Sequence, residues 1–312
     1  MRAFLFPGQG SQAVGMGAAL AEASRAARDV FDEVDEALGQ NLFRLMREGP
    51  EDELKLTENA QPAIMANSIA VFAALSVEGG VDLVKVANFV AGHSLGEYSA
   101  LCAANSFDLS TTAKLLKLRG QAMQQAVPVG QGAMAALLGA DLALARRIAE
   151  VAAQGEVCTV ANDNDPSQVV ISGHKAAIDR AIEVAREMGA KRAVPLPVSA
   201  PFHCPLMRSA AEAMQDALSY VVVGDPAVPV FANVTAQAES DPDIIRNLLV
   251  EQVTGMVRWR ESVLNMGETG VEEFVEIGGK VLGPMVKRIL PEAKVTSVVS
   301  IEDIEALAKE IA

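Results

Sequence analysis

The chain has 312 residues, half of them hydrophobic, with a mean hydropathy of +0.23, which is enough to bury a large core in one large or two unequal domains. A net charge of −14 and a pI near 4.7 argue against a nucleic-acid partner, which needs a concentrated basic face. Cys102, Cys158 and Cys204 have no CxxC spacing and cannot all pair with one another, which fits buried thiols in a reducing cytoplasm. No uninterrupted apolar run is read as long enough to cross a bilayer, so no membrane partner is expected.

Met1-Arg2 leads straight into an apolar run, so no signal peptide is expected. Ala3-Phe4-Leu5-Phe6 reads as a buried strand. The loop Pro7-Gly8-Gln9-Gly10-Ser11-Gln12 is rich in amides and glycine but lacks the Gly-Lys-Ser/Thr of a phosphate loop. Gln9 stands at the strand's C-terminal end, where α/β folds place ligands, and is favoured as a site residue over a plain connection. Gly17 to Leu38 reads as a helix with a solvated acidic face. Asn59 to Leu75 reads as an apolar core helix with Pro62 in its first turn. Gln61, at its start, is given a helix-entry role in preference to a site role.

The next stretch, Asn88 to Leu101, organises the chain. It reads as a short strand, a sharp turn carrying Gly92-x-Ser94-x-Gly96, and a helix. A serine on such a turn is lifted clear of the backbone, and the following helix points free N–H groups and its positive dipole end at the same spot. Ser110 to Gln125 forms another helix, with Leu115, Leu118 and Ala122 marking its buried stripe. Arg119 lies next to that stripe, and spacing alone favours an exposed arginine.

From Val127 the character changes. Strand Ala133–Leu138, helix Leu142–Ala153, strand Val157–Ala161, loop 162–167, strand Gln168–Ser172, helix Lys175–Met188 and strand Lys191–Pro197 give a β-α-β-β-α-β order, the ferredoxin-like pattern. Ser199-Ala200-Pro201-Phe202-His203 then opens a helix running to about Val222. Strands at 229–234, 273–278 and 295–299 alternate with helices at 243–252, 259–266, 281–290 and from 303 onward. The expected fold class is α/β: an α/β-hydrolase-like core with a mostly parallel sheet (residues 1–126 and 198–312), interrupted by a ferredoxin-like subdomain (127–197).

A serine hydroxyl needs a base. His93 is adjacent to Ser94 on a tight turn, where side chains diverge. His174 follows a strand of the insert and reads as a surface residue. By elimination His203 is the best base candidate. No histidine lies after it, unlike the late histidine of α/β-hydrolase triads. A Ser–His pair oriented by a backbone carbonyl or an amide fits better than an aspartate triad.

Phe6-Pro7-Gly8-Gln9-Gly10-Ser11-Gln12, Gly92-His93-Ser94-Leu95-Gly96-Glu97, the Arg119 helix, Ser199-Ala200-Pro201-Phe202-His203 and Gln252 stand in the order seen in malonyl-CoA:acyl carrier protein transacylases. The chain resembles that family over essentially its whole length, and its size resembles that of the stand-alone enzyme of dissociated fatty acid synthesis. The resemblance implies a ping-pong acyl transfer from malonyl-CoA to the phosphopantetheine thiol of holo-acyl carrier protein, with no permanently bound cofactor, no metal, and a monomeric cytoplasmic enzyme. It implies Ser94 as the malonylated nucleophile and His203 as its base. The N–H groups of Gln9 and Leu95 would form the oxyanion hole, and the Gln252 carbonyl would orient His203. Arg119 would pair with the malonyl carboxylate, Phe202 would narrow the acyl pocket, and Asn162 would border the cleft from the insert loop. A planar guanidinium matches a carboxylate bidentately, which raises Arg119 above its spacing-only reading. The carrier is acidic, so a local basic patch is needed on this acidic chain. Lys191-Arg192 and Lys287-Arg288 are the candidates, against ordinary solvated charges. The alternatives are a serine thioesterase or esterase of the α/β-hydrolase type, and a non-catalytic binding module.

Overall fold

Strand β1, Arg2–Phe6, lies in the middle of the larger of two sheets, and Ala3, Phe4, Leu5 and Phe6 are fully buried. A strand covered on both faces has no polar side to show, hence the unbroken apolar run. The computed structural model describes residues 1–311. Its large sheet has six strands. Beside β1 are β2 (Phe89–Gly92) on one flank and β9 (Glu273–Ile277) on the other. β10 (Lys294–Val298) lies outside β9, and β7 (Val230–Phe231) and β8 (Ala238–Glu239) lie outside β2. All neighbours are parallel except β7 and β8. The β1–β2 register sets Phe6 opposite Gly92, so the loops leaving both strands emerge side by side at the C-terminal edge.

The second sheet has four antiparallel strands in the order β4-β5-β3-β6: β3 is Gly132–Leu138, β4 Cys158–Asp165, β5 Gln168–His174 and β6 Arg192–Pro195. Helices Leu142–Ala153 and Lys175–Ala185 cover it, and Leu137, Ile148, Val169, Ile171 and Ile178 are part of its own apolar core.

Several local features depart from the sequence reading. The stretch 162–167, expected as a loop, continues β4 through Asp165, so Asn162 lies on a strand. Tertiary pairing explains this. Val257 bridges Asn162 through hydrogen bonds to Ala161 and Asp163, Arg260 binds the Asp163 carboxylate at 2.8 Å, and Arg288 binds Asp165 at 2.8 Å. The predicted helix from Gly17 to Leu38 breaks at Ser24, whose hydroxyl caps a new helix, Arg25–Leu38. The helix expected from Ser199 begins only at Arg208, after a short 3₁₀ turn at Pro205–Met207. Three short helices, Leu42–Glu48, Glu51–Lys55 and Leu83–Val86, were not read from the sequence at all.

Helix Thr57–Ala73 and the π-turn that extends it to Glu78 form one 22-residue stretch whose most apolar 18-residue window has a mean hydropathy of 1.5, long and apolar enough to span a bilayer by length and composition alone, although Gln61, Asn67 and Ser68 interrupt its apolar run. Its most apolar window is 78% buried inside the protein, which accounts for that character. Pro62 sits in the body of this helix, not its first turn. All three cysteines are free and buried.

Candidate active site

The turn after β2 is built by close backbone approach. A Cβ on Gly92 would lie 1.9 Å from the carbonyl carbon of Gly96, so the two glycines allow the chain to double back. Ser94 at its tip has φ of 55°, the left-handed region, and helix Gly96–Ala103 follows at once. The Ser94 N–H donates to Asn233 Oδ1 at 2.7 Å, which anchors the turn to the segment after β7. The loop after β1 lies directly against it, for a Cβ on Gly8 would meet the His93 carbonyl oxygen at 2.4 Å. Among the described residues, no acceptor is found for the main-chain N–H of Gln9 or of Leu95.

His203 reaches the same point from the loop after β6, itself at φ 56°. Its Nε2 lies 2.7 Å from Ser94 Oγ, and its Nδ1 lies 2.8 Å from the Gln252 carbonyl oxygen. A carbonyl can only accept, so Nδ1 carries the proton and Nε2 offers its lone pair to the serine O–H. Burial, reinforced by the nearby Arg119 charge, depresses the His203 pKa to about 3. The imidazole is therefore a neutral base in the resting enzyme. Between 6.5 and about 3 the unfolded chain binds this proton and the native state does not, so the group destabilises the fold progressively as pH falls through that window. An NMR titration of the three histidines should show His203 still neutral as pH drops past 6.5. A midpoint at that ordinary value would contradict the buried dyad.

Arg119, on helix Leu109–Ala126, is 1% exposed. The buried face of that helix runs through Thr112, Leu115, Leu116, Arg119, Gly120 and Met123, while Leu118 and Ala122 are only partly buried. The stripe is thus rotated from the expected one and has Arg119 at its centre. Nη1 donates to Gln61 Oε1 at 2.7 Å. Nη2 donates to Gln252 Oε1 at 2.8 Å and to Ser94 Oγ at 3.2 Å. The guanidinium carbon lies 5.8 Å from the Tyr98 ring centroid, a cation–π contact. No carboxylate pairs with it among the described residues, and its buried Nε has no partner. A buried cation held only by neutral groups beside a serine hydroxyl favours an anion at that place. The arrangement can perform nucleophilic acyl chemistry on a substrate carrying a negative charge.

A model of the acyl transferase domain matches residues 3–291. The chain belongs to the acyl transferase domain family. It is 45% identical over 289 residues to a malonyl CoA-acyl carrier protein transacylase of Escherichia coli K12, covering 92% of each chain. A crystal structure of acyl-carrier-protein-S-malonyltransferase from Bartonella henselae is similar at 52% identity with a TM-score of 0.97, covering 99% of both chains. A solved complex of a type II polyketide-synthase acyl-carrier protein with its malonyl-transacylase matches at 40% identity and a TM-score of 0.95, again over 99% of each chain.

In this acyl transferase the predicted residues Ser94, His203, Arg119 and Gln252 converge, with the Gln9 loop and Leu95 beside them. Phe202, buried next to His203, lines with Gln9, Lys55, Leu56 and Ser199 a cleft of about 290 Å3. Asn162 is buried on β4, with no side-chain hydrogen bond found among the described residues. Its neighbour Asn164 bonds His93 Nε2 at 2.8 Å and ties the nucleophile turn to the small sheet. His174 is not a bare surface residue: its Nδ1 accepts from the Val157 N–H at 2.9 Å. Gln61 is no helix-entry residue but a direct partner of Arg119. The sequence reading gave no role to Glu97 or Asn233. The sequence reading runs this strand to 234 and so places Asn233 inside it; β7 ends at Phe231, which puts Asn233 just past the strand's C-terminal end, the position that singles out Gln9. All four residues of the basic pairs are exposed, but Arg288 is committed to Asp165 and Lys287 donates to the Pro291 carbonyl, whereas Lys191 and Arg192 form no ion pair among the described residues.

Proposed function

We propose that this acyl transferase moves the malonyl group from malonyl-CoA to the phosphopantetheine thiol of acyl carrier protein, through a malonyl-serine intermediate, in support of fatty acid synthesis. The observation that carries this reading is one hydroxyl in contact with two functional groups: Ser94 Oγ meets the neutral imidazole of His203 at 2.7 Å and the unpaired guanidinium of Arg119 at 3.2 Å. Ser94 Oγ attacks the thioester carbonyl while His203 Nε2 takes its proton. The oxyanion is received by the N–H groups of Gln9 and Leu95. Arg119, held by Gln61 and Gln252, receives the malonyl carboxylate in a charge-assisted pair. The C–S bond breaks, and the CoA thiol leaves with the proton from His203. The carrier's thiol then gives its proton to His203, attacks the malonyl-serine carbonyl and frees Ser94. The Gln252 carbonyl steadies the imidazole without adding negative charge beside the substrate anion, as an aspartate would.

Residues 1–126 and 198–312 are read as an α/β-hydrolase-like catalytic unit, and 127–197 as an inserted ferredoxin-like unit. The strand order β4-β5-β3-β6, with helices after β3 and β5, supports the latter. Phe202 is assigned to the acyl end of the cleft and Asn162 to its border. Lys191 and Arg192, exposed and without an ion-pair partner among the described residues, are the better candidates for steering the acidic carrier. The whole constellation comes from one chain, which supports a catalytic monomer, and the free thiols fit the cytoplasm. No observation favours the thioesterase alternative.

Intact-mass analysis after mixing with malonyl-CoA tests the reading. A malonyl adduct on Ser94 should form and persist until holo-carrier is added. Free malonate released without a carrier would point to a hydrolase instead.

A further inference from the structure

The buried carboxyl of Glu97, the last residue of the Gly92–Glu97 motif, takes no part in the mechanism above. It is 1% exposed and forms no ion pair among the described residues. We propose that Glu97 is a positioning residue that acts through the Gln252 side-chain amide to hold Arg119 in place for a carboxylate-bearing acyl group. The proposal rests on the Arg119 role given above.

The geometry is a relay of three groups. Glu97 Oε2 accepts from Gln252 Nε2 at 2.8 Å and from the Asn233 N–H at 3.0 Å. The other proton of Gln252 Nε2 goes to the Ser94 carbonyl at 3.0 Å. That fixes the polarity of the amide, leaving Gln252 Oε1 facing Arg119 Nη2 at 2.8 Å. A flipped amide would aim N–H groups at a buried guanidinium and its oxygen at two acceptors, so the observed orientation is strongly favoured. Gln252 thereby serves both halves of the site: its carbonyl orients His203 and its side chain orients Arg119. Asn233, the second partner of Glu97, holds the Ser94 N–H and the Gly92 carbonyl.

The spacing also has an electrostatic consequence. A carboxylate in direct contact with Arg119 would compete with the substrate's own carboxylate. Placed one amide away, the ionised form offsets part of the cost of burying the guanidinium and puts no competing carboxylate at the fork. Burial pushes the Glu97 carboxyl up to about 7, so the electrostatic offset fades as pH falls through that value, while the relay needs only an acceptor oxygen, which a protonated carboxyl still has.

The test is discrimination between acyl groups, read as the ratio of Ser94 loading by malonyl-CoA to loading by acetyl-CoA, with KM and kcat separated. Glu97→Leu, which has no acceptor, should lower that ratio by roughly tenfold, mainly by raising KM for malonyl-CoA. Glu97→Gln, which keeps an acceptor oxygen, should restore most of it. In an Arg119→Ala background, adding Glu97→Leu should change the ratio no further. Each variant is first checked for a cooperative melt. If Glu97→Leu does not fold, Glu97→Thr, too short to reach Gln252, replaces it. Equal loss of malonyl and acetyl loading in a folded variant without the acceptor would mean a merely structural role and overturn the relay, as would a Glu97→Gln ratio no better than that of the Leu variant. If Arg119→Ala alone leaves the ratio intact, the carboxylate clamp itself fails. If Arg119→Ala collapses the ratio and the folded Glu97→Leu variant does not, only the relay fails.

Discussion

Arg119→Ala should cut malonyl loading of Ser94 by roughly 30- to 5,000-fold, corresponding to the loss of about 2–5 kcal/mol when one partner of a buried, hydrogen-bonded charge pair is truncated. The loss should be selective. An uncharged acyl group has no carboxylate to leave unpaired, so loading by acetyl-CoA should fall less and the preference should move towards it. The structure also sets a limit on that selectivity. Arg119 Nη2 touches Ser94 Oγ and Gln252 Oε1, so its removal disturbs the nucleophile as well as the acyl pocket, and acetyl loading will not be wholly spared. Arg119→Lys should restore little, because a point charge on a flexible stem cannot reproduce contacts made by two guanidinium nitrogens with Gln61, Gln252 and Ser94. Side-by-side loading rates with the two thioesters, followed by intact mass, decide the matter. Unchanged malonyl preference in Arg119→Ala would refute the clamp.

The second large effect concerns the dyad. Ser94→Ala should abolish the covalent adduct and lower transfer by a factor on the order of 10^5 to 10^6, and His203→Ala should lower it by at least about 10^4. The two act on one proton over a 2.7 Å contact, so the double variant should be scarcely worse than Ser94→Ala alone. His203→Ala should retain the ability to bind malonyl-CoA, because Arg119 keeps Gln61 and Gln252 as partners without the imidazole. Transfer assays to holo-carrier, run with equilibrium binding of malonyl-CoA to the His203→Ala protein, measure both. Transfer by Ser94→Ala at more than a trace of the parent rate would mean that another group carries the acyl chain.

Much of this was legible in one dimension. Short apolar runs mark β1 and β2 because strands covered on both faces have no polar side, whereas β9 carries the buried Glu276 among its apolar residues. Gly92-x-Ser94-x-Gly96 marks the nucleophile because only a tight turn demands glycines at both ends. His203 followed by elimination, since its two rivals were badly placed. Other features were not legible, and each depends on contacts between distant segments. The end of β4 reads as a polar loop, Asn-Asp-Asn-Asp. It is a strand because Val257, Arg260 and Arg288 arrive from nearly a hundred or more residues away to satisfy it. Gln61 looked like a helix-entry amide until Arg119 was seen to lie across from it.

The sequence by itself determined the alternation of strands and helices, the nucleophile on its turn and a base on a distant loop, because these depend on hydrophobic period, glycine spacing and the types of side chain present. Only the tertiary structure decided which face of its helix Arg119 buries, which neutral groups hold it, and that Glu97 lies one amide behind it. The physical reason is that a buried charge is tolerated only where partners from several segments meet around it, and a linear pattern does not encode that meeting point.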